Sequence, residues 1–311
     1  MVLLHSLAKV SEIHDLNWAL SALHLDHKIR ADSTRDAEFV RLQADRMCVL
    51  CSIATIDVAA EARRVGKSME AAGREQRYAF YAEEAQKADA KFVAVGHHAD
   101  DQAETVLLRI IRGTGLRGLG AMRPIRRLAR GSSIKLVRPL LELRRRDILE
   151  YAARNRVEYR EDATNADHEA ATRNFIRHRL IPELVELVNQ KAIDALVRLA
   201  LQARRADDAI RRIAVLRGRR MMMSRDETAI VIDAGRLAKQ SAAVGGEIVR
   251  RTIASLGVDC ELGFERIEAV LQLAALNGQL RRLELPGRIV VERRGRRLMF
   301  ILAPGGRVES A

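Results

Sequence analysis

Five ionisable side chains, His97, His98, Asp100, Asp101 and Glu104, stand directly behind the short apolar run Phe92 to Val95 and its stop at Gly96. An apolar run that ends at a glycine and gives way at once to acids and histidines predicts a β-strand presenting polar groups at its carboxyl end. In open parallel sheets the ligand crevice lies beyond those ends, so these five residues form the candidate site. Carboxylates there can bind a cationic group and accept a proton. The plain structural alternative is charge–dipole placement at a helix start, worth a few tenths to about 1 kcal/mol per group. It accounts for one acid, but poorly for three acids and two histidines together.

The element that must position them is the helix that follows. Ala103, Val106, Leu107 and Ile110 repeat at helical spacing as a buried stripe, whereas Asp101, Thr105, Arg109 and Arg112 fall on the opposite side. From Gly113 to Gly120 there are four glycines in eight residues, a density that permits positive φ and close backbone approach to a ligand. Upstream, Ala19 to Leu25 and Ser52 to Val58 read as strands, with a helix from Ser33 to about Met47 between them. A helix fits Ser68 to Ala88, and Ile134 to Val137 is the last strand of the series. Strands alternating with helices predict an α/β fold with a doubly wound parallel sheet. Met1 to Val10 reads as a helix with no strand before it, so the first strand of the sheet is missing from the pattern.

Past Pro139 the character changes. Helices are expected over Arg144 to Asn155 and Ala171 to Leu180, with a turn at Glu161 to Asn165. An arginine-rich helical stretch begins near Lys191, and strands follow at Thr228 to Ile232, Arg288 to Glu292 and Leu298 to Leu302. Two domains are expected for 311 residues, at 1–189 and 190–311, the second smaller, helix-rich and α+β.

Net charge is +13 and 46 of the 54 basic residues are arginine, which predicts a polyanionic partner, nucleic acid before membrane. No apolar run is long enough for a membrane span and the start lacks the features of a secretory signal, so a cytoplasmic protein is expected. Three cysteines are too few for a disulfide framework. Cys48 and Cys51 have metal or redox spacing, but a structural zinc wants four ligands and no second pair exists.

Taken in order, these motifs resemble the tRNA(Ile)-lysidine synthetase family of PP-loop ATP pyrophosphatases. The resemblance rests on His97-His-Ala-Asp-Asp-Gln-Ala-Glu-Thr105, Arg112-Gly-Thr-Gly115 with Gly118-Leu-Gly-Ala-Met122, Arg138-Pro-Leu-Leu141, and Glu161-Asp-Ala-Thr-Asn165 followed by Arg173-Asn-Phe-Ile-Arg177. Leu25-Asp-His-Lys-Ile-Arg30 and Ala72-Gly-Arg-Glu-Gln-Arg-Tyr78 add weaker support. It covers most of residues 1–180 strongly and the remainder in outline.

The resemblance implies an enzyme that uses ATP to adenylate the C2 oxygen of the wobble cytidine in tRNA-Ile(CAU), after which the ε-amine of free lysine displaces AMP. On that model Asp101 and Glu104 orient the lysine amines, and Asp100 is a third catalytic acid. His97, His98 and Asp100 lie near the ATP phosphates and Mg²⁺, with Asp100 the metal ligand, and His27 and Arg30 lie near the nucleotide. Arg109, Arg112, Arg173 and Arg177 are candidates for phosphate or tRNA contacts. The C-terminal domain is expected to bind tRNA.

One departure is plain. The family's Ser-Gly-Gly-x-Asp-Ser loop, whose N–H groups cradle pyrophosphate, does not occur in these 311 residues, and Met1 aligns just after it. The expectation is that Met1 is internal to a longer gene product, or else that the chain is a catalytically inactive tRNA-binding fragment. A third reading is a PP-loop tRNA thiolase, for which Cys48, Cys51 and Cys260 would have to carry sulfur or a cluster.

Overall fold

Helix formation begins without a capping side chain. In the computed structural model, which describes residues 1–26, 33–160, 168–258, 260, 262–275 and 281–303, α1 (Val2–Ile13) starts behind Met1 and buries none of its residues. Strand β1 (Ser21–Asp26) and helix α2 (Ser33–Arg46) lead into β2 (Leu50–Thr55). This strand begins and ends earlier than the apolar pattern predicts. Asp57 is the reason: its carboxylate accepts the Ala60 N–H at 2.8 Å and caps α3 (Val58–Val65), so Val58 becomes a buried helical residue. Ser68 does the same for α4 (Met69–Lys87).

Strand β3 (Phe92–Ala94) leads to α5 (Ala99–Ile111) and the single turn α6 (Leu116–Leu119), followed by β4 (Ile125–Arg127), β5 (Lys135–Val137) and α7 (Arg145–Arg154). The parallel pairing expected of an α/β fold is present, in two pieces. β1 pairs with β2, and β3 pairs with β5, both in parallel register from Ser21↔Leu50 and Phe92↔Lys135. Among the described residues no strand bridges β1 and β3, although α4 packs against both. An antiparallel edge strand, β4, is added on β5; its three residues, Ile-Arg-Arg, carry no alternation that a sequence reading could use. Leu136, Val93, Leu128 and Ala85 form the buried seam between this sheet and α4.

Helix α8 (His168–Phe175) runs on through two π-helical turns, Ile176–Leu180 and Leu184–Val188, on either side of the short α9 (Ile181–Glu183). Ile176, Ile181 and Ile193 close over Ala103, with Leu107 packed against them; the stripe expected of α5 is buried only in its first part, since Ile110 is 45% exposed, and Thr105, expected on the opposite side, is buried. The chain divides into two compact units, Met1–Arg204 and Arg205–Ala311, and the division falls inside the long helix α10 (Ala192–Met221).

The second unit contains a five-stranded antiparallel sheet in the order β6 (Met222–Arg225), β7 (Ala229–Asp233), β10 (Arg297–Leu302), β9 (Ile289–Arg294), β8 (Arg281–Leu285). Its three middle strands match the sequence reading, while both edge strands were missed. Alternate residues of β9, Ile289, Val291 and Arg293, are buried. With Ile230, Ile232, Leu298 and Phe300 the apolar ones meet α12 (Ala242–Ala254) and α13 (Phe264–Ala275) in one core. A short α11 (Ala234–Ala238) is capped by Asp233.

Candidate active site

Gly96 and His97 leave β3 at the same sheet edge at which Arg138 leaves β5, because the two strands are parallel and end in register at Ala94↔Val137. The Ala99 N–H donates to the Leu143 carbonyl at 2.8 Å, tying the first turn of α5 to the segment beyond β5. The residues expected at a strand's carboxyl end are therefore there.

His98 is the N-cap of α5. Its Nδ1 accepts the Asp101 N–H at 3.4 Å while Asp101 Oδ2 accepts the His98 N–H at 2.9 Å, a reciprocal capping box. The other oxygen of Asp101 and both oxygens of Glu104 turn to one cation. Arg177, from the first π-helical turn, donates through Nε to Glu104 Oε1 at 2.6 Å and through Nη2 to Glu104 Oε2 at 2.9 Å and Asp101 Oδ1 at 3.3 Å. Glu104's side chain is 4% exposed and that of Arg177 38%, so the carboxylate is inside and the guanidinium reaches it from the surface. The hydrogen bond to Glu104 is the main reason the guanidinium is held above its ordinary pKa. Arg177, expected as a phosphate or tRNA contact, thus spends its guanidinium on the acids.

Asp100 points the other way. Its Oδ2 accepts the Arg145 backbone N–H at 2.7 Å and the Arg144 Nε at 3.4 Å, so it sits on the N-terminus of α7. Arg144 is held in turn by Asp194 at 2.9 Å. Among the described residues no group of three or more His, Cys, Asp or Glu side chains is placed to hold a metal ion. Asp100 is thus engaged by cationic and N–H donors.

His97 is a half-buried acceptor. Arg138 Nε donates to its Nδ1 at 3.2 Å, and burial, followed by the charge of Arg138, lowers the imidazole pKa to about 4. It is neutral at pH 7, with its proton on Nε2. The charge of Arg173 adds a smaller contribution to the same effect. Arg109 donates to the Gly118 carbonyl, and Arg112 is exposed at the C-cap of α5. His27 and Arg30, and the Glu161 to Asn165 motif, lie outside the described residues.

The glycine-rich segment has packing reasons of its own. Gly113, at φ +71°, ends α5, and a Cβ on Gly120 would meet the Cα of Arg204 at 3.3 Å. Sequence reasoning missed Gln102, which is buried and clamps a backbone: Nε2 donates to the Met122 carbonyl at 3.0 Å and Oε1 accepts the Met122 N–H at 2.9 Å. Its only signal was a polar residue beside the apolar stripe.

An acid pair and a half-buried neutral histidine stand at the carboxyl edge of a parallel sheet, which is where α/β domains hold their ligands. Residues 1–184 match the PP-loop domain family, and the chain belongs to it. Among curated proteins it is 34% identical over 283 residues to the tRNA(Ile)-lysidine synthase of Geobacter sulfurreducens, a match covering 90% of this chain and 59% of that protein. It is 35% identical to the enzyme of the same name from Solibacter usitatus, over 92% of this chain and 61% of the relative. The Thermotoga maritima counterpart is 40% identical over 64% of this chain and 45% of its own length. The chain thus spans about 60% of the length of the first two relatives.

Proposed function

We propose that the chain carries the catalytic PP-loop unit of a tRNA(Ile)-lysidine synthetase, ligating lysine to C2 of the wobble cytidine of tRNA-Ile(CAU) at the expense of ATP. The observation that carries the reading is the convergence of Asp101 and Glu104 on a single cation, Arg177. Two carboxylates, one of them almost fully buried, aimed at one point make a seat for a cationic nitrogen.

In the first half-reaction the cytidine C2 oxygen attacks the α-phosphorus of ATP and pyrophosphate leaves. In the second, the lysine ε-amine attacks C2, the C2–O bond breaks and AMP departs. The amine arrives as an ammonium and must shed a proton, which Asp101 or Glu104 can accept. Lysine displaces part of the Arg177 hydrogen bonding as it enters, because the same oxygens serve both cations. A neutral His97 offers its Nε2–H to a phosphate oxygen without adding a charge. Arg109, Arg112 and Arg173 serve the phosphates or the tRNA, His98 orients Asp101, and His27 and Arg30 meet the nucleotide. Mg²⁺ would arrive with the ATP phosphates, using them and water for most of its ligands, with Asp100 nearby. The second unit, Arg205–Ala311, is proposed to hold tRNA.

A second reading is a tRNA-binding protein without ligase activity, with which the net charge of +13 agrees equally well. One experiment separates them: the 311-residue chain is incubated with ATP, a tRNA-Ile(CAU) transcript and labelled lysine. Label in the RNA that requires ATP supports the ligase; tight RNA binding without label supports the second reading.

A further inference from the structure

Arg74 and Arg126 lie over the ring of Tyr78, with their guanidinium carbons 5.0 and 4.8 Å from its centroid. Arg74 and Tyr78 come from α4, Arg126 from β4. Arg138, 5% exposed at the carboxyl end of β5, joins them, donating to His97 Nδ1 at 3.2 Å and the Arg123 carbonyl at 2.7 Å. Among the described residues none of Arg74, Arg126 and Arg138 forms an ion pair with a carboxylate; their partners are a ring, an imidazole and backbone carbonyls. The guanidinium groups work against one another. Burial, then the charges of Arg126 and Arg74, lower the pKa of Arg138 despite Tyr78, and Arg74 adds to the burial that lowers Arg109. Burial resists ionisation of the Tyr78 phenol, yet the charges of Arg74, Arg126 and Arg138 outweigh it and bring its pKa below the ordinary value.

Three mutually repelling cations gathered at a ligand edge, one of them buried, are unfavourable unless an anion joins them. Phosphate fits. Guanidinium forks match its oxygens in pairs, and an aromatic ring in contact with two of them restrains both before the ligand arrives. We propose that Arg74, Arg126 and Arg138, held against Tyr78, form a phosphate-binding subsite at the carboxyl edge of the β3–β5 sheet. The phosphate is carried by a nucleotide or by the RNA backbone. This subsite rests on the ligase reading only for the identity of that carrier, since binding can be measured without lysine transfer.

The test is equilibrium binding of two probes, labelled inorganic pyrophosphate and a short single-stranded RNA, to the 311-residue chain. The variants are Arg74→Gln, Arg126→Gln and, as a control away from the cluster, Arg154→Gln; Arg74 is exposed, so its replacement leaves the core intact. Loss of one charge-assisted contact is expected to weaken binding about tenfold or more in each of the first two variants and to leave the control unchanged. Weakening with pyrophosphate assigns the subsite to a nucleotide, and weakening with RNA alone assigns it to backbone phosphate; both support the proposal. It is overturned if wild type binds neither probe, or if Arg74→Gln and Arg126→Gln bind both as wild type does. Lysine transfer that persists in those variants alongside unchanged phosphate binding would sink the subsite and leave the ligase reading standing.

Discussion

Glu104 is a buried carboxylate whose compensation comes from one residue 73 positions later in the chain. Truncating Arg177 to Ala leaves that charge without a partner; breaking a buried pair costs about 3–5 kcal/mol, and the partial exposure of Arg177 reduces this to roughly 2. Urea unfolding should show this loss, and Glu104→Gln added to Arg177→Ala should restore part of it, because the stranded charge is then gone. His97 makes a different prediction. Its folded pKa of about 4 lies below the ordinary 6.5, so between those pH values the unfolded chain binds more protons than the folded one. Stability must therefore fall as pH drops through that window, by on the order of 3 kcal/mol for a shift of this size, and be unaffected by this group above pH 7. His97→Gln, which can still accept from Arg138, should flatten the decline; unfolding curves at pH 7 and pH 5 measure it. The acids and histidines were legible in the sequence because a strand-stop glycine marks where they emerge. Their partners were not: Arg177 and Arg144 are each one of 46 arginines, and nothing local distinguishes a guanidinium that closes a salt bridge from one on a solvated face.

Helix α5 was readable as an element because its apolar stripe repeats at helical spacing, and Ala103 and Val106 are indeed fully buried. What anchors the helix was not readable, since it is a side chain bonded to backbone. Gln102 satisfies both the N–H and the C=O of Met122. Gln102→Ala should cost about 1–2 kcal/mol, because the Met122 N–H loses its acceptor while the Met122 carbonyl keeps Arg204 Nη1 as a donor at 3.1 Å. In a unit of this size that corresponds to a fall in Tm of roughly 3–7 °C, observable by calorimetry. A helix carrying two π turns in its second half also escapes a 3.6-residue reading, and Arg177 reaches the acids from the first of them. Strand β2 shows the converse error, an apolar run extended through Val58 that an Asp57 cap converts into helix.

At the scale of the molecule, composition speaks to the class of partner proposed and to little else. A net charge of +13 implies that RNA binding is driven by release of counterions. Affinity for tRNA should fall roughly tenfold or more between about 50 and 200 mM salt, and a flat dependence would remove the charge argument. The α/β and α+β character of the two units follows from strand and helix order, which periodicity carries well. Strands β4 and β6 were lost because they are only three and four residues long, without alternation to detect, and β8 because its Leu283 and Leu285 stand behind two arginines in a run of five. The central claim is that Asp101 and Glu104 seat an amine beside activated RNA. It is tested most directly by comparing the wild-type chain with Asp101→Asn for two readouts, ATP-dependent transfer of labelled lysine to tRNA-Ile(CAU) and retention of that tRNA on a filter. The account predicts transfer by wild type, its loss in the variant, and tRNA retention within about twofold in both. Transfer by Asp101→Asn at the wild-type rate, or equal loss of tRNA retention, would contradict it.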